Sequence, residues 1–186
     1  MQPEQTVEAQ EAKQREENAK KAKAAADLLF PNEKWEKLED GIYKAGKKRS
    51  FEEINDARIL RDLGSAIYFV PENTRALGKK FDAIVNGLQF EFKNVSGNAN
   101  TLAAQFLRSR SQAPNVFINL ESSSLKRGEI IKALYNARNS IMRIGPNGNI
   151  IKGYEEINKF KGGLIILKIN EHENLVYLSV EDLKAP

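Results

Sequence analysis

Near the middle of this sequence, Glu91-Phe92-Lys93 sets a carboxylate and an ammonium two positions apart inside an apolar run. Side chains alternate across a strand, so Glu91 and Lys93 share one face while Phe90 and Phe92 share the other. Asp82 lies in the preceding apolar stretch, Phe81 to Val85, and the Asn86-Gly87 between the two stretches is a hairpin signal. A tight turn centred on that pair opposes Val85 to Leu88 and Asp82 to Glu91, and directly opposed residues point to the same face. Two like charges so placed are destabilising unless a cation stands between them. Magnesium or manganese suits the position, because a hard divalent ion takes oxygen ligands, keeps several waters and can accept a phosphate oxygen as well. Such an ion would polarise a phosphate and acidify a bound water. Lys93 could orient or help deprotonate that water, or neutralise charge developing on a pentavalent phosphorus. The plain alternative is a solvated Glu91-Lys93 pair with Asp82 incidental.

Composition narrows the other chemistries. The chain has 186 residues, no cysteine and one histidine, His172. Disulfides, thiolate zinc sites and cysteine nucleophiles are excluded, and zinc held by several imidazoles cannot occur. The formal net charge is +4, but it is unevenly spread. From Arg75 to Arg143 there are eleven basic residues (Arg75, Lys79, Lys80, Lys93, Arg108, Arg110, Lys126, Arg127, Lys132, Arg138, Arg143) and four acidic ones (Asp82, Glu91, Glu121, Glu129). A surplus of this kind is what a phosphate backbone attracts through counterion release; a solvated surface is the competing reading. No apolar stretch is long enough to span a bilayer, and the polar start Met1-Gln2-Pro3-Glu4-Gln5 is no signal peptide. The sequence itself carries no secretion or membrane signal.

The elements that must position these residues can be read from periodicity. Gln2 to about Leu29 is rich in Ala, Glu, Gln and Lys, which predicts a solvated helix or tether with little to bury. After Phe30-Pro31, Asn32 to Lys37 reads as a short helix containing Trp35, and Lys44 to Arg49 as a basic linker. Residues 1–49 are thus a helical tether and linker, and 50–186 the organised domain. Ser50-Phe51-Glu52-Glu53 has the signature of a capping box, and Phe51, Ile54, Ala57, Leu60 and Leu63 recur at helical spacing before Gly64. Strands are predicted at Ala66–Val70, Lys80–Val85 and Leu88–Val95, a helix at Thr101–Ala113 stopped by Pro114, and a strand at Asn115–Leu120. Leu125 to Met142 reads as a further helix, Gly145-Pro146-Asn147-Gly148 as a turn, and Leu164–Ile169 with Leu175–Val180 as a final strand pair.

The order helix, three strands, helix, strand over Ser50 to Leu120, with Asp82 and Glu91-Phe92-Lys93 at these places, resembles the PD-(D/E)xK nuclease superfamily. The resemblance implies an α/β, restriction-endonuclease-like core: a helix, a three-strand meander, a helix and a fourth strand. An extra helix, a C-terminal strand pair and the N-terminal extension would be added to it. It also implies that Asp82, Glu91 and Lys93 are catalytic and that Asp82 and Glu91 hold the metal, with Phe81 replacing the motif proline. Glu53 matches the place where some members supply another metal ligand; a capping-box glutamate is the alternative. Ala57 to Gly64, Asp82 to Gly87 and Gln112 to Ile118 are further similar to nuclease domains at the C-termini of bacterial polymorphic toxins, including contact-dependent growth inhibition toxins. That likeness implies a tRNA or DNA substrate, delivery into a target cell and a cognate immunity protein.

On the helix after the motif strand, Gln105, Ser109 and Gln112 share a face, and with Arg108 and Arg110 could grip a phosphate backbone. Gln105, Arg108 and Arg110 are the expected nucleic-acid contacts. Glu72, Asn94 and Ser96 are lesser candidates near the same strands, with loop and turn chemistry as their plain roles. His172, in Asn170-Glu171-His172-Glu173-Asn174, reads as an exposed turn residue. It also keeps open a metal-independent ribonuclease of the barnase or colicin type, using histidine as general acid or base. A non-catalytic nucleic-acid-binding module is the third class.

Overall fold

The computed structural model describes residues 6–72, 81–141 and 162–184, with the side chains of 139–141 not described. Several expectations lie outside those residues: the loop around Gly78, the start of a strand at Lys80, the cations Arg75, Lys79, Lys80 and Arg143, and the Gly145–Gly148 turn. The chain divides into two compact units, Met1–Gln89 and Phe90–Pro186.

In the first unit, α1 (Val7–Leu29) is followed by the hairpin β1 (Glu36–Glu39) and β2 (Ile42–Lys44), then α2 (Phe51–Asp62), β3 (Ile67–Phe69) and β4 (Ala83–Val85). β2 pairs parallel with β3, which the intervening helix α2 permits as a crossover, and β3 pairs antiparallel with β4. The expected helix around Trp35 is therefore corrected: Glu36 and Lys37 are strand and Trp35 precedes them in irregular chain, while of the expected linker only Lys44 joins the sheet and Ala45 to Arg49 form neither helix nor strand. Tyr43 stacks on Tyr68 at 4.6 Å, Trp35 meets Tyr68 edge-on, and Phe30 meets both Trp35 and Phe81. Burial, with Tyr43 and Asp27 adding to it, pushes the Tyr68 hydroxyl up to about 12. Helix α1 is not a free tether either. Ala22 and Ala26 are its buried face, and small side chains let the backbone approach closely. Its polar groups dock as well: the Arg15 guanidinium donates to Arg61 O at 3.1 Å and Asp62 O at 3.0 Å, and Asn18 Nδ2 donates to Gly64 O at 2.9 Å. Those are carbonyls at and just beyond the C-terminus of α2, where a cation is favoured.

Helix α2 starts as the sequence predicts. The Ser50 side chain accepts from Glu53 N while Glu53 Oε2 accepts from Ser50 N, closing the capping box. Its buried face differs, because Asp56, Ala57 and Leu60 are inside while Phe51 is 75% exposed. Asn86, at φ 52°, and Gly87, at φ 92°, supply the two positive dihedrals that a tight primed hairpin turn after β4 demands.

In the second unit, β5 (Leu88–Asn94, of which Phe90 onward belongs here), α3 (Ala99–Gln112), β6 (Asn115–Leu120), α4 (Arg127–Ile141), β7 (Leu164–Ile169) and β8 (Val176–Ser179) follow one another. β5, β6 and β7 run parallel, with Lys93 beside Ile118 and Ile118 beside Leu167, and β8 closes antiparallel on β7. Val116, Ile118, Leu120, Ile165, Leu167 and Ile169 form one core with Leu102 and Phe106 of α3 and Ile130 and Leu134 of α4. α3 begins at an Asn98 cap accepting from Asn100 N and Thr101 N, two residues before the expected start.

Candidate active site

The residues gathered around Lys93 come from one strand and the end of one helix. Glu91 and Lys93 sit beside Val116 and Ile118 of β6, so both lie on the sheet face that carries α3 and its core. Phe92 points the other way and meets the Phe117 ring at 5.6 Å. The alternation read from the sequence thus holds, and it puts the charged pair on the helix side. Glu91 is 2% exposed and its Oε1 accepts from Lys93 Nζ. Burying a carboxylate costs several kcal/mol unless it is paired, and the ammonium two residues along meets that cost. Lys93 Nζ also donates to Gln112 Oε1 at 3.3 Å, across from the last residue of α3. A carboxylate, an ammonium and an amide therefore share one partly enclosed corner.

The other site candidates separate into groups. Asp82 stands at the entrance to β4, half-buried, and its carbonyl accepts from Val70 N at 3.0 Å. Glu53 is committed locally: besides Ser50 N it takes Arg49 Nη1 at 2.9 Å. Burial would raise the Glu53 carboxyl, but the bonds from Ser50 and Arg49 outweigh it and hold the group below its ordinary range. Glu72 is exposed and ion-paired with Lys47. Asn94, Ser96 and Arg108 are exposed, and Gln105 is half-buried.

Two of the α3 expectations are corrected. Arg110 is 2% exposed, with Nη1 donating to Pro114 O at 2.6 Å and Nη2 to Gly162 O at 2.8 Å. Burial pushes its pKa down to about 10. The guanidinium ties two backbone segments together and does not reach a phosphate. Ser109 is fully buried and donates to Phe106 O at 2.6 Å, the usual back-bond of a helical serine. Helical phase explains both: residues 102, 106, 109 and 110 make the buried stripe, and Gln112 falls beside it where it can reach β5. The contact between Gln112 and Lys93 was half legible, since the sequence put Gln112 on a polar helix face without naming its partner.

A pocket of about 140 Å³ lies elsewhere in this unit, where β6 and β7 end, lined by Ser123, Lys126, Arg127, Asn170 and His172 among others. His172 is exposed, its carbonyl accepting from Lys168 Nζ at 2.6 Å. Among the described residues no group of three or more His, Cys, Asp or Glu could by itself hold a metal ion. A donor set of one or two carboxylates fits magnesium or manganese, which complete their shell with water and phosphate oxygen, and does not fit a closed protein cage. Nor, among the described residues, is any helix long and apolar enough to cross a membrane.

Residues 79–157 match the family described as the contact-dependent growth inhibition CdiA C-terminal domain. The matched span takes in β4, β5, α3, β6 and α4, and so holds Asp82, Glu91, Lys93 and Gln112. Among solved structures, the chain is similar to a "CdiA-CT/CdiI toxin and immunity complex from Burkholderia pseudomallei" at 21% identity and a TM-score of 0.42, covering 73% of this chain and 97% of that one. No curated protein matches it.

Proposed function

We propose that this chain is a toxin-type effector domain that hydrolyses phosphodiester bonds of nucleic acid with the help of a divalent metal. The observation that carries the proposal is the buried Glu91 carboxylate ion-paired with Lys93 on a strand face beside α3. A strand that only needed to pack would place apolar residues there, since a hydrophobic pair costs less to bury than an ionic one. The restriction-endonuclease-like reading of α2 to β6 belongs to the same proposal, supported by the element order. Glu91 and Asp82, the carboxylates on either side of the Asn86-Gly87 turn, are the residues that would hold magnesium or manganese. When bound, the ion would supply Lewis-acid activation of the phosphate and of a water. Lys93 holds a positive charge where the phosphate would carry growing negative charge. Glu53 has no part in this reading, because its carboxylate is consumed by the cap and Arg49.

The substrate proposed is tRNA or DNA, met in the cytoplasm of a target cell. A producing cell holds the same nucleic acids, so the proposal includes a cognate immunity protein as partner. The test is to incubate the purified chain with tRNA, single-stranded RNA and duplex DNA in Mg, Mn or EDTA. Cleavage is expected with metal, to be lost in EDTA and in Asp82→Ala and Glu91→Ala; an intact fold that cuts nothing in any metal ends the enzyme reading.

A second reading rests on the pocket that His172 shares with Lys126 and Arg127. It is a metal-independent ribonuclease with His172 as general acid or base. Cleavage that survives EDTA and disappears in His172→Ala would replace the first reading with this one. Salt-sensitive binding without cleavage would leave a nucleic-acid-binding module.

A further inference from the structure

We propose that Gln112 is a positioning residue that fixes the direction of the Lys93 ammonium in the proposed active site; the inference rests on the nuclease reading above. Lysine is a flexible four-carbon stem ending in three N–H donors and no acceptor. Glu91 Oε1 takes one of those donors and Gln112 Oε1 a second, the latter at 3.3 Å. Among the described residues no third acceptor meets Lys93. A tetrahedral ammonium anchored at two corners has its third N–H aimed in one direction, whereas an ammonium held by Glu91 alone can swing about the ion pair. The Gln112 amide must turn its oxygen toward the lysine, because Lys93 offers nothing to accept an N–H.

The two anchors differ in origin. Glu91 and Lys93 come from β5, so their pairing follows from strand alternation, but Gln112 arrives from the last turn of α3. The helix ends there because Pro114 follows the Ala113 cap, whose N–H donates to Ser109 O at 3.0 Å. The stop that terminates α3 also places the second acceptor. Gln112 thus acts on the reaction through Lys93, and its removal should lower kcat with KM little changed.

The test uses the whole chain, whose 20.9 kDa mass suits solution NMR. The Lys93 ammonium resonance, assigned by its disappearance in Lys93→Met, is expected to be slowed in exchange with water. Gln112→Leu and Gln112→Asn, one without an acceptor and one too short to reach, should each lose that protection while the thermal transition persists. Each should also cut nucleic acid about 10–100-fold more slowly, the range usual for residues that orient a catalytic group. Gln112→Glu keeps an oxygen in place and adds charge, so it should retain the protected resonance. Protection and rate both unchanged in Gln112→Leu would overturn the proposal, as would loss of the protected resonance in Gln112→Glu. If the parent chain cuts nothing, the nuclease reading fails separately. The Lys93 resonance in Gln112→Leu then still decides whether Gln112 holds the ammonium.

Discussion

Arg110 shows how burial reassigns a cation. Its guanidinium is held by Pro114 O and Gly162 O, and Gly163 presses against the same place. A Cβ added at Gly163 would fall 1.8 Å from Pro114 O and 3.0 Å from Arg110 Nη1, and the backbone there has φ +139°. The two residues form one joint between the end of α3 and the start of β7. Arg110→Ala would take the donor from two half-buried carbonyls, each costing up to about 1–3 kcal/mol. We expect a loss of about 2–4 kcal/mol by denaturant unfolding, and a comparable or larger loss for Gly163→Ala, which has no room to relax. A buried arginine in a basic segment reads from sequence like its exposed neighbour Arg108, although two helical steps set them on nearly opposite faces. Only the phase fixed by Leu102 and Phe106 tells them apart.

The cap of α2 carries a pH-dependent part of the first unit's stability. Ser50 and Glu53 exchange hydrogen bonds with each other's backbone, Arg49 adds an ion pair, and the Glu53 carboxyl is held below the usual carboxylate range. A carboxyl whose pKa falls on folding stabilises the fold above its unfolded value and ceases to as pH drops through the folded one. Glu53→Gln, which can still close the cap, should therefore lower the melting temperature at pH 7 and lose most of that effect near pH 3. Ser50→Ala should cost about 1 kcal/mol at either pH, since a hydroxyl does not titrate there. This cap was fully legible, as were β6 and β7, whose boundaries match the periodicity residue for residue, because each is set by local sequence. The β1–β2 hairpin was not. Its strands are three and four residues long, rich in Glu and Lys, and bulged between Lys37 and Glu39, so no alternation marks them. α1 was read as solvated because it docks through alanines and through Arg15 and Asn18 bonded to carbonyls, which leave no large apolar stripe to detect. In the proposed site the Glu91-Lys93 alternation was legible, while the Gln112 contact depends on where α3 meets β5.

At the scale of the whole chain, the basic surplus can be divided by what each cation already does. Lys93 is paired with Glu91, Lys126 lies 3.6 Å from Glu171, Arg138 donates to Glu181 O and Leu183 O, and Arg110 is buried. Arg108, Arg127 and Lys132 are exposed, and among the described residues no ion pair engages them. Cations that neutralise phosphates release condensed counterions, so each one in contact steepens the fall of log K with log salt by about one unit. The chain should bind tRNA or duplex DNA with an affinity that drops steeply as salt rises. Arg108→Ala, Arg127→Ala and Lys132→Ala, measured singly by fluorescence anisotropy across a salt series, should each flatten the slope by up to about one unit at unchanged fold. A conservative Arg110→Met, at temperatures where it stays folded, should leave the slope as it was. A slope that ignores all three exposed cations would place the phosphate contacts elsewhere and detach nucleic-acid binding from the helices α3 and α4.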